Sequence, residues 1–169
     1  MTKKIKVGNL FIGGGQPITI QSMTNTYTGD FSKTFSQIID LQNAGCDIVR
    51  LAVSSMEEVE VCKQYISSCS VPLVADIQYD YKLAIACSDI GFNKIRFNPG
   101  NIGSDLRVKE LTDVCKKNGT PIRIGVNAGS LSKETLSKYG RTAKGMVESA
   151  LYNVQLLEKC GFYDIILSG

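Results

Sequence analysis

The chain has no histidine, only four prolines, and six cysteines none of which forms a C-x-x-C pair. Without histidine or paired cysteines, zinc-finger readings fail. Cys46, Cys62, Cys69, Cys87, Cys115 and Cys160 are scattered along the chain, most of them in apolar helical context, as reduced structural cysteines usually are. No segment is long and apolar enough to span a bilayer, and the basic start lacks the apolar core of a signal peptide. A cytosolic protein with no membrane partner is the expectation. The net charge is only +3, with acidic and basic residues interleaved. Nucleic-acid binding, which favours a dense basic run, is therefore not expected.

What is present is alternation. Short β-branched runs at Pro17–Gln21, Asp47–Leu51, Pro72–Ile77, Lys94–Asn98, Pro121–Val126 and Asp164–Leu167 are separated by amphipathic stretches. The latter lie near Ser32–Asn43, Ser55–Ser68, Tyr81–Ser88, Asp105–Lys117 and Thr142–Lys159. This is the pattern of βαβ units around a parallel sheet. Ahead of it, Ile5–Val7 and Leu10–Ile12 flank Gly8-Asn9, a two-residue hairpin turn placed to cap the bottom of a barrel. An extra polar insert near Ser130–Gly140 interrupts the last interval. The fold class predicted is α/β, a (β/α)8-type TIM barrel of which residues 1–169 supply about six units and the small N-terminal β-hairpin. A closed barrel takes about 250 residues, and Ile165–Leu167 would leave an unpaired edge, so the chain reads as an N-terminal portion. The open edges at Ile18–Ile20 and Ile165–Leu167 predict self-association. A doubly wound dinucleotide-binding sheet is disfavoured because Gly13-Gly14-Gly15 precedes the first strand instead of following it.

Parallel strands covered on both faces should be continuously apolar. Four consecutive strands break that rule near their C-terminal ends, with Arg50, Asp76 and Gln78, Arg96 and Asn98, and Arg123 and Asn127. Period-two alternation puts Asp76 with Gln78, Arg96 with Asn98, and Arg123 with Gly125 and Asn127. All would converge on the end of the barrel where ligands bind. Three guanidiniums against one carboxylate leave a cationic surplus that is costly to bury unpaired. A phosphate or diphosphate matches arginine geometry. The loop Asn98-Pro99-Gly100-Asn101-Ile102-Gly103 adds backbone N–H groups and leads into a helix N-terminus. Gln21, Ser22 and Asn101 form a second rank of candidates at the same end.

These residues carry a resemblance. Gln21 to Thr26, Asp47 to Arg50, Val71 to Ile77, the Arg96-Phe97-Asn98-Pro99-Gly100-Asn101-Ile102-Gly103 stretch and the Pro121 to Leu131 stretch are similar, in order, to the hydroxymethylbutenyl diphosphate synthase family of the methylerythritol phosphate pathway. The resemblance implies a reductive opening of methylerythritol cyclodiphosphate with loss of water. It also implies a [4Fe–4S] cluster on a separate C-terminal domain with ligands outside this chain, ferredoxin or flavodoxin as electron donor, and a homodimer. Arg50, Arg96 and Arg123 would then clamp the diphosphate, Asn98 and Asn127 would hydrogen-bond the substrate, and Asp76 would orient its hydroxyl end. Where the family reads Asp-Ile-His, this chain has Asp76-Ile77-Gln78, and glutamine cannot shuttle a proton near neutral pH. The family's substrate lysine after the sixth strand and a later glutamate fall beyond Gly169, so residues 1–169 alone are expected to be inactive. Two rivals are a non-catalytic module that captures phosphorylated metabolites and a pterin-synthase-like transferase barrel.

Overall fold

The computed structural model describes residues 2–169. A hairpin of β1 (Ile5–Val7) and β2 (Leu10–Ile12) precedes a six-stranded parallel sheet. Its strands are β3 (Gln21–Met23), β4 (Ile48–Ala52), β5 (Leu73–Asp76), β6 (Lys94–Arg96), β7 (Ile122–Gly125) and β8 (Ile165–Ser168), hydrogen-bonded in sequence order. Helices α1 (Phe31–Asn43), α2 (Met56–Ser68), α3 (Tyr81–Ile90), α4 (Asp105–Asn118) and α6 (Ala143–Lys159) connect successive strands. The result is a curled half-barrel with helices outside, the arrangement expected from the alternation.

Local chemistry explains the helix ends. Asp30, Ser55, Asp80 and Thr142 each accept a backbone N–H from the first turn of α1, α2, α3 and α6. Gly91 and Gly119 end α3 and α4 in the left-handed conformation, where a side chain would be strained. Alternate strand residues divide the sheet into two faces. Val49, Leu51, Leu73, Ala75, Ile95, Ile122 and Ile124 pack outward against the helices with Ile38, Val59, Leu111 and Leu157, forming the main core. On the inner face, Ile48, Val74 and the hairpin's Val7 make a second apolar cluster with Ile166 against it. The hairpin thus plugs the lumen at the N-terminal ends of the strands, as its sequence position predicts. Gly8 at its turn has φ 60°, and a Cβ there would meet Pro72 at 3.0 Å.

Two expectations need correction. The first sheet strand lies at Gln21–Met23, not Pro17–Gln21, with Ile18 96% exposed and Ile20 61% exposed. Pro17 offers no N–H, and the Ile20 N–H goes to the Asp47 carboxylate at 2.7 Å instead of a neighbouring strand. The insert at Ser130–Gly140 is not simply polar loop. It holds helix α5 (Lys133–Tyr139), capped by Ser132, whose Oγ accepts from the Thr135 N–H at 3.1 Å.

Candidate active site

The inner face carries the polar residues that parity assigned to it. The register pairs Met23 with Arg50, Ala52 with Asp76, Asp76 with Arg96, and Arg96 with Arg123. Asp76, Arg96 and Arg123 therefore share one rung of the half-barrel, and Arg50 shares the inward-facing rung before it with Val74 and Lys94. Asp76 lies between two arginines. Its Oδ2 is 3.3 Å from Arg50 Nη2 and its Oδ1 is 3.3 Å from Arg96 Nη1. All three side chains are largely removed from solvent, the carboxylate most completely at 11% exposure. Arg50 also directs Nε at the Met23 sulfur, 3.2 Å away.

Arg123 is placed differently. Its Nη2 donates to Ser168 Oγ at 2.6 Å, and among the described residues no carboxylate lies within ion-pair distance. Its Nη1 is buried with no hydrogen-bond partner among the described residues. Burial, then the nearby Arg50 and Arg96, hold its pKa below the ordinary arginine value. A charged, buried donor without an acceptor costs free energy unless something anionic meets it.

Lys94 completes the set, although in the sequence it reads only as the charged first residue of a strand. It is 2% exposed, and its ammonium donates to Gln21 Oε1 at 2.9 Å. Burial first, with Arg123 and Arg50 adding, brings its pKa from 10.5 to about 8. The unfolded chain keeps this proton up to about pH 10.5 and the folded chain releases it near pH 8. Protonated Lys94 therefore opposes folding below pH 8, and that cost is relieved as the pH rises from 8 towards 10.5. Lys94→Met is expected to stabilise the anion-free protein by roughly 1–4 kcal/mol at pH 7. The gain should shrink towards pH 10 when denaturant unfolding is compared across that range. Arg50, Lys94, Arg96 and Arg123 thus face a single inward carboxylate, Asp76.

Asn98 is buried and pairs with a backbone instead of hanging free. Its Nδ2 donates to the Gly125 carbonyl at 2.7 Å and its Oδ1 accepts from the Gly125 N–H at 3.0 Å. The side-chain amide continues the β6–β7 pairing where Pro99 ends the strand, leaving one amide hydrogen for a ligand. Asn127 lies exposed after β7, its Oδ1 accepting from the Gly129 N–H at 2.9 Å to shape that turn. Asn101 Nδ2 donates to the Gln78 carbonyl at 3.0 Å, tying the loops after β6 and β5 together. The Gln78 side chain is exposed at the mouth, where it lines a cavity of about 330 Å³ with Met23, Ser54, Asp76 and Tyr79. Ser22 is not brought to the site, since alternation turns it to the face opposite Gln21 and Met23. The rest of that motif serves α1, with Asn25 and Thr26 bonded to Gln37.

One glycine is dictated by an arginine. Arg96 lies flat across β7, with Nη2 on the Gly125 carbonyl at 3.1 Å, and a Cβ on Gly125 would sit 2.8 Å from Arg96 Nε. Gly125→Ala is expected to displace the guanidinium and weaken anion binding about tenfold or more, a loss of about 1.4 kcal/mol. Thermal stability should change little, which separates this effect from unfolding.

The family described as the GcpE TIM-barrel domain matches residues 2–169. The chain is 54% identical over 168 residues to the 4-hydroxy-3-methylbut-2-en-1-yl diphosphate synthase (flavodoxin) of Ruminiclostridium cellulolyticum, covering 99% of this chain and 48% of the relative. The protein of the same description from Symbiobacterium thermophilum is 52% identical, with 99% of this chain and 45% of the relative covered. The chain thus spans about half the length of the curated relatives it matches. Among solved structures, the 7,8-dihydropteroate synthase of Vibrio fischeri aligns with a TM-score of 0.69 at 12% identity, over 99% of this chain and 67% of that one. Yersinia pestis dihydropteroate synthase gives 0.65 at 12% identity, over 97% and 61%. These last two establish the barrel fold alone. Fold, inward-facing polar strand ends and sequence matches agree: the chain belongs to the GcpE TIM-barrel domain family.

Proposed function

We propose that this chain is the substrate-holding barrel of a synthase that reductively opens methylerythritol cyclodiphosphate to hydroxymethylbutenyl diphosphate in isoprenoid precursor synthesis. The observation that carries this reading is the buried cation surplus, above all Arg123 Nη1 with no partner among the described residues. Arg123 and Arg96 would take the diphosphate oxygens, with Arg50 aligned beside them through Asp76. Fixed donors in a partly dry lumen neutralise the anion at little reorganisation cost, which is the barrel's contribution to the reaction. Asn98 and Asn127 would add hydrogen bonds to the substrate, and Gln78 would donate without titrating.

The reading includes an iron–sulfur cluster, which supplies electrons when bound. The cysteines of this chain do not fit it. Four of the six are buried, burial pushes the Cys62 and Cys115 thiols up to about 12, and among the described residues no three cysteines or acids gather as a ligand set. The ligands would belong to a C-terminal domain beyond residue 169. The flavodoxin in the relatives' names supports flavodoxin as electron donor, with ferredoxin the other candidate. A homodimer, in which one subunit's cluster domain covers the other's barrel, completes the proposal. Among the described residues no helix is long and apolar enough to cross a membrane, and a cytosolic site of action is proposed with the rest.

Calorimetric titration of the cyclodiphosphate into the intact protein tests this reading. Saturable one-to-one binding that pterin diphosphate does not compete is expected. Preferential binding of pterin diphosphate would transfer the site to a different chemistry.

A further inference from the structure

Lys94 has no role in the arginine clamp. It is the most deeply buried of the four inward-facing cations, projecting into the lumen two residues before Arg96 on the same strand. Val74 lies beside it in register, in an apolar cluster with Val7, Ile48 and Ile166 that offers no counter-charge. Of the groups around it, β3 presents Gln21, which is neutral, and β4 presents Arg50. Strand β5 presents Asp76, already shared by Arg50 and Arg96. Strand β7 presents Arg123, and β8 presents Ile166 and Ser168. A lysine stem four carbons long, held only through a carboxamide oxygen, is free to turn towards a charge arriving from the mouth. Its sole partner is an uncharged group, where a purely structural buried lysine ordinarily has a carboxylate.

We propose that Lys94 is the inner cation of this anion site: its ammonium leaves Gln21 for the inner phosphate of the bound diphosphate, and binding draws a proton onto it from solvent. The inference rests on the proposed reading of the cup as a diphosphate site, and assigns to it a residue outside the clamp and a coupling to pH. The geometry supports the coupling from both sides. Without an anion, three guanidiniums share the lumen with the lysine and burial disfavours its charge. A doubly charged ligand reverses the sign of the local field, so the ammonium form is favoured in the complex.

The cyclodiphosphate is a suitable probe because each phosphorus carries a single strongly acidic oxygen, so the ligand does not titrate near neutral pH. Titrating it into the intact protein at pH 8.5, in two buffers of unlike ionisation enthalpy, reads proton uptake directly. Uptake of between about half and one proton per site is expected at pH 8.5, falling to nearly none at pH 6.5. Lys94→Met should abolish the uptake and weaken binding at pH 7 about tenfold, the usual worth of one such contact. Lys94→Arg should restore affinity without uptake, since arginine stays protonated throughout. Unchanged uptake or unchanged affinity in Lys94→Met would overturn the inference. An Arg96→Ala/Arg123→Ala variant separates the two levels. If it binds as tightly as the parent, or if the parent does not bind, the diphosphate reading falls and this inference with it. If it loses binding while Lys94→Met behaves as the parent, only the role of Lys94 is lost.

Discussion

Replacing Arg96 and Arg123 together by alanine is expected to weaken cyclodiphosphate binding by at least about a thousandfold, with the fold intact. Truncating one partner of a buried, hydrogen-bonded charge contact costs about 2–5 kcal/mol. Two such losses reach about 4 kcal/mol at the least, or three decades in affinity. The fold should tolerate the change for reasons visible in the pairings. Asp76 keeps Arg50 when Arg96 is removed, and removing Arg123 deletes a buried Nη1 donor that meets no acceptor among the described residues. Circular dichroism and thermal unfolding should therefore stay near the parent while calorimetric heats vanish. A double variant that binds within tenfold of the parent would place the anion elsewhere.

The opposite profile is expected for Asp76→Ala. Among the described residues this carboxylate is the only anion the strands turn inward, and it serves two arginines at 3.3 Å each. Removing one partner of a buried ionic group costs about 3–5 kcal/mol because the remaining charge is left uncompensated. For a chain of this size that corresponds to a fall in melting temperature of about 10 °C. The loss should be largely reversed by saturating cyclodiphosphate, since a ligand bound only by the folded state adds stability as its concentration exceeds its dissociation constant. An exposed ion pair would behave differently, with a change of about 1 kcal/mol or less and no rescue by ligand. Differential scanning calorimetry with and without ligand distinguishes the two.

Much of this site is legible in the sequence because a parallel strand has a strict two-residue period. Given the strands, Arg50, Asp76, Arg96 and Arg123 had to share the inner face, and a polar group in an otherwise apolar strand marks that face. Other features depend on partners that periodicity does not specify. Lys94 looks like the polar start of a strand, and only the β3–β6 arrangement, with Gln21 reaching the ammonium at 2.9 Å, places it in the lumen. Asn98 reads as a ligand group alone, whereas its amide also bonds the Gly125 backbone and keeps one hydrogen for a ligand. Ser22 stands next to Gln21 in sequence but on the other side of the sheet. Ile18 and Ile20 mimic a strand pattern ahead of β3, whereas both are exposed in the segment that follows Pro17. Helix α5 has no buried residue, and so no apolar stripe that periodicity could announce.

A crystal structure of the intact protein soaked with the cyclodiphosphate bears most directly on the account. It should show a phosphate oxygen within about 3 Å of Arg123 Nη1, the atom with no partner among the described residues, with Arg96 on the same diphosphate. Ligand density away from the β6–β7 strand ends, or an Arg123 satisfied by a protein group while the ligand sits elsewhere, would contradict it.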